Sequence, residues 1–518
     1  MQLAIVHYHL NRGGVTQVIW NHLRALSTVH DDPEPLKVVI FYGGRRAGWP
    51  DMEAARLAGL DVRLETVPDL EYTRRGAVPP VTLAEDLIEA FGRAGLRPDN
   101  TIVHIHNHAL GKTPFLPEAV SELSSRGFAL LLQMHDFAED FRPDNYRGLA
   151  EALAAGSPAE LAERIYPQGS AIHYAVLNGR DYRILTQAGV GTERLHALPN
   201  PVPQFSALPD RDAARTKLAE RYGVDHDHVY VLYPVRGIRR KNVGEFLLWG
   251  AAAPENTCFG LTLPPLNPVE RPRYLVWKRL AEALELPVVF EVGAAGGLEF
   301  GENLMAADRI LTTSVAEGFG MVFLESWLAD RELIGRDLPE ITRDFVAAGL
   351  EFPTLSEVVN IPAEWVSAKQ LRAEVSESYA SVLHAYGQFQ VDGERIHQEV
   401  SEFFSADLLD FGRCSATLQE SILSQLVSDP RRRQELRQLN PGFDLSFEPR
   451  SDASDDRISR NAQVVRDHYS LEPSGARLHE LYRTVLDSPR GEQYELPEGS
   501  SMLDAFLSLR RFNPVRIH

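Results

Sequence analysis

Cysteine is nearly missing from this chain: Cys258 and Cys414 are the only two in 518 residues. Two thiols cannot build a disulfide framework or a cysteine zinc site, so a reducing, cytoplasmic setting is expected. No apolar run approaches the roughly 20 residues of a membrane span, and no integral membrane contact is expected. Met1-Gln-Leu-Ala-Ile-Val6 carries no basic leader and reads as a strand rather than a signal peptide. Excess positive charge is lacking too. Lys and Arg total 53 against 72 Asp and Glu, a formal charge of −19. Nucleic acid is therefore not an expected partner, and any anion site has to be a local basic pocket. No solenoid-length repeat occurs. What remains is 44% apolar and 24% charged, a globular composition, in a chain too long for one core.

Short apolar runs alternate with helical periodicity from the start. Gln2–His7, Lys37–Phe41, Asp61–Thr66, Thr101–Ile105, Phe128–Met134, Ala171–Val176 and Arg194–Ala197 read as strands. Val15–Leu26 and Val81–Ala94 read as helices between them. Leu198-Pro-Asn-Pro201-Val-Pro203 is a proline-stiffened linker, after which the alternation restarts. Tyr230–Val235, Thr257–Leu263, Val288–Glu291 and Arg309–Thr313 are strands; Val243–Ala252, Arg273–Leu284 and Met321–Ala329 are helices. Such alternation predicts two α/β parallel-sheet domains facing across a cleft, with ligands beyond the carboxyl ends of the strands. His7, His106, His135, Arg236 and Glu317 lie at such ends. We expect an N-terminal domain over 1–200 and a second over 201–490 with an insertion near 350–404. A tail, 491–518, is expected to pack back towards the first domain. Later amphipathic segments include Leu418–Val427, Arg431–Leu439, Ser459–Asp467 and Ala476–Leu486, with a polar loop at Arg450–Asp456.

The chain is organised around Thr313-Ser-Val-Ala-Glu317-Gly-Phe-Gly-Met-Val-Phe-Leu-Glu325. A strand leads into Glu317-Gly318-Phe319-Gly320, a turn relaxed by glycine that opens a helix. Free backbone N–H groups at such a turn suit a diphosphate. Glu325 follows Glu317 by eight positions, about two helical turns, so both carboxylates can face one crevice and accept bonds from separated hydroxyls. A sugar nucleotide has that layout. Arg236 and Lys241 follow a strand end and add cationic donors. Arg239 and Arg240 read as a solvated turn.

These motifs together resemble the retaining GT-B glycosyltransferases, specifically glycosyltransferase family 4. Glu317-x7-Glu325 is similar to the family's E-x7-E motif, Arg236 and Lys241 to its diphosphate-binding pair, and Gly13-Gly14 to its glycine loop near donor and acceptor. Ile102-Val-His104-Ile-His106 and Met134-His135-Asp136 resemble its histidine-bearing strand ends, and Gly335-Arg-Asp337-Leu-Pro339 the segment after its motif helix. The resemblance implies transfer of a hexose from a UDP-, GDP- or ADP-sugar to a hydroxyl of a small soluble acceptor. No metal and no cofactor beyond the donor is implied. His135, Arg236, Lys241 and Glu317 are then the catalytic candidates. Gly13, Gly14, Asp136, Gly318, Phe319, Gly320 and Glu325 are the substrate-binding ones. Glu325 would hold ribose hydroxyls, Glu317 the transferred sugar, and His135 would bond or shield that sugar, with Asp136 orienting His135 or contacting the acceptor. The resemblance fades between about 350 and 404.

Two other readings compete. His7-x-His9 and His104-x-His106-x-His108 put alternate imidazoles on one strand face, as a metal-dependent amidohydrolase-like hydrolase would. A catalytically silent GT-B scaffold that binds a partner is the other. Asp225-x-Asp227 matches a metal-binding pair but sits in a polar turn and reads as coincidence. A homo-oligomer is left open.

Overall fold

The computed structural model describes residues 1–50, 57–72, 83–205, 207–388, 393–404 and 407–517. Val81 and Thr82 of one expected helix, and His518 of the tail, lie outside the described residues. The chain forms two compact units, Met1–Pro203 with Asp467–Ser508, and Gln204–Arg466 with Leu509–His518.

The first unit is built on a parallel sheet of β1 (Gln2–Val6), β2 (Leu36–Tyr42), β3 (Leu60–Thr66), β4 (Thr101–His106), β5 (Ala129–Met134), β7 (Ile172–Val176) and β8 (Leu195–Ala197). The short β6 (Gln168–Gly169) pairs antiparallel with Gln493–Tyr494 instead. Sheet order is β3-β2-β1-β4-β5-β7-β8. β4 and β5 are buried along their whole length, which explains their unbroken apolar character. Helix Gly14–Val29 covers the sheet with Ile19, Leu23 and Leu26 in the core. Helix Leu471–Leu486 returns from the far end of the chain to pack on it. The approach is so close that a Cβ on Gly475 would stand 2.1 Å from the carbonyl oxygen of Ala25, so only glycine fits.

The second unit repeats the plan with β9 (Val229–Arg236), β10 (Thr257–Leu263), β11 (Val288–Phe290), β12 (Arg309–Thr312), β13 (Glu332–Arg336) and β14 (Leu355–Ser356). The order is β11-β10-β9-β12-β13-β14. Beyond it, Ala368–Ala385 and Gly393–Phe403 form a helical pair beside a two-stranded ladder of Asn360–Pro362 and Leu408–Asp410.

The chain end is divided between the two units at points other than the 490/491 boundary expected. Asp467–Ser508 joins the first unit, because Leu478, Tyr482 and Val485 complete its core. Leu509–His518 joins the second: Arg413 donates to the carbonyls of Arg510 (2.5 Å) and Phe512, and Arg239 to that of Ile517 (2.9 Å). Most of the expected polar loop at 450–456 is helical, since Asp452–Tyr469 forms one helix; reciprocal bonds between Ser451 and Ser454 organise its start.

Buried charge ties the outer segment to the sheet. Arg336 ends β13 and donates to Glu245 (2.6 Å), to Asp410 (2.7 Å) and to the Glu357 carbonyl (2.7 Å). Glu245 is fully buried, and desolvation pushes its carboxyl up to about 7 despite the arginine. Arg336→Met is therefore expected to cost about 3–5 kcal/mol, because two buried carboxylates lose their cation. Denaturant titration reads this; a loss under 1 kcal/mol would contradict the anchoring role.

Candidate active site

In the order β11-β10-β9-β12-β13, the chain winds outward in both directions from the neighbours β9 and β12. Their carboxyl ends mark a topological switch point, where a parallel sheet leaves a crevice. The loop after β9 carries Arg236 to Asn242 and the loop after β12 carries Thr313 to Gly320. The two loops are zipped together. The Tyr233 hydroxyl donates to the Lys241 carbonyl (2.9 Å), Thr313 Oγ1 donates to the same carbonyl (2.9 Å), and the Val315 amide donates to the Arg240 carbonyl (2.9 Å).

Lys241 and Glu317 form a short ion pair across this seam, with both side chains largely buried. Arg240 approaches the other oxygen of Glu317 at 3.9 Å. Burial pushes the Glu317 carboxyl up, but Lys241 and Arg240 outweigh it and hold it below the usual range. The site carboxylate is thus ionised at neutral pH. The spacing of the sequence did not show that these two residues face each other. Nor did it separate Arg240, which reaches Glu317, from Arg239, which is held by Glu270 and by Ile517. Arg236 ends β9, donates to the Pro264 carbonyl (3.4 Å), and forms no ion pair among the described residues.

The helix after the turn runs over Val322–Leu328, seven residues, one shorter at each end than expected. Gly320 has φ +83°, and a Cβ there would press on the Phe323 ring at 2.6 Å, so glycine is required for the turn. Phe319 is buried against Phe345 (ring centroids 5.5 Å), so its ring belongs to the core and leaves only backbone to a ligand. Glu325 sits in the first turn, partly buried, with no hydrogen bond to its carboxylate among the described residues. Desolvation alone pushes it up to about 7. A buried carboxyl without a partner is costly, which marks it as a group awaiting one.

The first unit has its own switch point between β1 and β4. His7 and His106 lie at these two strand ends, 6.1 Å apart between ring centroids. His135 ends β5, and its Nε2 shares a hydrogen bond with Nδ1 of His106 (2.9 Å). Burial pushes His135 down to about 3, so it is a neutral imidazole. Asp136 does not orient it. Its carboxylate is taken by Arg142 (2.5 Å). The His135 ring is held by His106, while Asn107 fixes the main chain at the strand end, its Oδ1 accepting from the backbone amides of both His135 (2.7 Å) and Asp136 (3.1 Å). Asn107 has φ +60°, a left-handed position that Asn tolerates, and an Asn straight after an apolar strand was the available signal. Gly13 is extended and precedes helix Gly14–Val29; the protein's own packing leaves room for a Cβ at both Gly13 and Gly14. The H-x-H-x-H run does not stay on one face: after β4 the chain turns at Asn107, and His108 bonds the Ile165 carbonyl (2.9 Å). Asp225 and Asp227 are exposed in a turn.

No protein-family profile matches the chain. In sequence it is 28% identical over 430 residues to mannosylglucosyl-3-phosphoglycerate synthase of Petrotoga mobilis, covering 81% of this chain and 80% of that protein. In structure it is similar to Anabaena HepE in complex with UDP and glucose, with a TM-score of 0.52, 13% identity, and 93% of this chain and 100% of that one covered. It is also similar to sucrose-phosphate synthase of Thermosynechococcus elongatus, with a TM-score of 0.52, 15% identity, and 94% and 99% covered. The architecture shared with these structures is GT-B: two Rossmann-like parallel-sheet α/β domains, here with substantial helical content.

Proposed function

We propose that the protein is a glycosyltransferase that moves a hexose from a nucleoside-diphosphate sugar to a hydroxyl of a small acceptor, with retention and without a metal. The observation that carries this reading is the seam at the β9–β12 switch point, where Lys241, Arg240 and Glu317 meet beside the ends of β9 and β12. The GT-B architecture and the sequence similarity to a mannosylglucosyl-3-phosphoglycerate synthase support it.

Transfer breaks the bond from the anomeric carbon to a phosphate oxygen. Negative charge grows on the departing diphosphate, and fixed donors there lower the barrier. Arg236 and Lys241 supply that charge, with backbone amides of Gly318 to Gly320 beside them. Binding draws Lys241 towards phosphate and releases Glu317 to accept from the sugar hydroxyls. Glu325 gains in ribose hydroxyls the partners it lacks. His135, a neutral imidazole bonded to His106, keeps its proposed role of bonding or shielding the transferred sugar, and the acceptor hydroxyl is proposed to attack the face from which the diphosphate departs, its proton passing to the leaving phosphate.

The acceptor is proposed to be anionic. The named relative makes a phosphoglycerate compound. In the first unit, Lys112 and Arg45 each stand 5.4 Å from the Tyr72 ring, and Arg142 lowers the lysine further after burial has done so. These cations follow β2, β4 and β5, the strand ends where an acceptor belongs. The test is an assay of nucleoside diphosphate released from UDP-, GDP- and ADP-sugars, with and without a phosphorylated glycoside. One donor is expected to turn over, and faster with the acceptor. Binding without turnover of any donor would favour a silent scaffold.

A further inference from the structure

The interior of the first unit holds a group of three imidazoles, of which the transfer reading uses only His106, as a support for His135. His104 and His106 project from one face of β4, their rings stacked with centroids 4.3 Å apart. His22 comes from helix Gly14–Val29, 5.9 Å from His104 and 6.2 Å from His106 between centroids. Each ring offers one nitrogen, and the three nitrogens lie within 4.8 Å of one another. All three side chains are almost completely buried.

Hydrogen bonding leaves this group unsatisfied. Among the described residues neither nitrogen of His22 has a partner, nor has Nε2 of His106, nor the amide nitrogen of the neighbouring Gln133. A neutral imidazole carries one N–H and one lone pair, so His22 is an orphan twice over. Buried polar atoms rarely stay so, and each case calls for an occupant. His104 is bonded to the Tyr482 hydroxyl (2.9 Å) and to Gln133 Oε1 (3.1 Å), and gives up one of these bonds to become a ligand.

We propose that His22, His104 and His106 form a structural site for a zinc-class divalent cation. Three imidazoles are a known zinc donor set, with a fourth position left for water. Metal on His106 Nε2 places the proton on Nδ1, which then donates to Nε2 of His135. The ion sets the tautomer of His135 without touching the sugar nucleotide. The site also accounts for why His104 and His106, but neither His108 nor His9, belong together.

The test uses full-length, untagged protein from cells grown with added zinc, so that metal is present during folding. After desalting, a single equivalent of zinc per chain is expected by mass spectrometry. Removing it with chelator should lower the melting temperature, and returning it should restore it. His22→Leu should lose both the metal and the zinc-dependent stabilisation. Wild-type protein that holds no more zinc than His22→Leu overturns the proposal. Should that variant fail to fold, cobalt-grown wild type decides: visible d–d bands of nitrogen-bound tetrahedral cobalt support the site, and their absence refutes it.

Discussion

Lys241→Ala is expected to lower kcat by roughly 10²-fold or more, the scale of losing one charged transition-state donor. Lys241 follows β9 and meets Glu317 across the seam with β12, so it stands where a departing diphosphate would develop charge. The substitution also strips Glu317 of the cation that holds its carboxyl low. Some loss of stability should accompany it, since one half of a buried pair is left alone. Kinetics and melting must therefore be measured on the same preparation. A fall in kcat with donor KM changed much less identifies transition-state stabilisation. A rise in KM alone would reassign Lys241 to ground-state binding. Lys241→Arg keeps the charge but exchanges a point for a planar fork, and is expected to recover only part of the rate.

Glu325→Gln should raise the stability of the ligand-free protein at pH 8 while removing most of the thermal shift from nucleoside diphosphate. The sign follows from the shift. Burial raises the Glu325 carboxyl from 4.5 to about 7. In the unfolded chain it ionises near 4.5, so above that pH folding opposes the charge. The native form therefore has its full relative stability below pH 4.5 and loses it as pH rises through 7. The whole shift corresponds to roughly 3 kcal/mol, an upper figure because the side chain is partly exposed. Glutamine carries no charge to oppose, so the gain should appear at pH 8 and vanish near pH 4.5. Nucleotide binding should move the other way, because in the proposed role the carboxylate would accept from two ribose hydroxyls and the amide oxygen would accept less well. An unchanged thermal shift would refute the ribose assignment; no gain at pH 8 would refute the burial argument.

Much of this was legible in the residues. Runs such as Thr101–Ile105 and Phe128–Met134 are buried on both faces, so their hydrophobicity is unbroken and their boundaries move by only one residue in the structure. Thr257–Leu263 and Val243–Ala252 agree to the residue. Glu317 and Glu325 could be read together because a strand, a glycine turn and a helix lie in one local stretch. What was not legible depends on long-range pairing. The Lys241–Glu317 contact spans two loops 76 positions apart. Asp136 could be read as orienting His135 because it is adjacent, yet Arg142 takes its carboxylate and His106 bonds the ring. His22 gave no signal for the proposed metal site, since a lone histidine on an amphipathic helix has no local motif. The return of Leu471–Leu486 to the first unit is invisible for the same reason: an apolar stripe does not state which core it covers.

The central claim is that one sugar nucleotide is gripped by the second unit through Arg236, Lys241, Glu317 and Glu325. A crystal structure of the protein with its nucleoside diphosphate tests it most directly. The account predicts the diphosphate within hydrogen-bonding distance of Arg236 and Lys241, with both ribose hydroxyls on Glu325. A nucleotide bound elsewhere, with the Lys241–Glu317 pair intact and Glu325 still unpartnered, would contradict it.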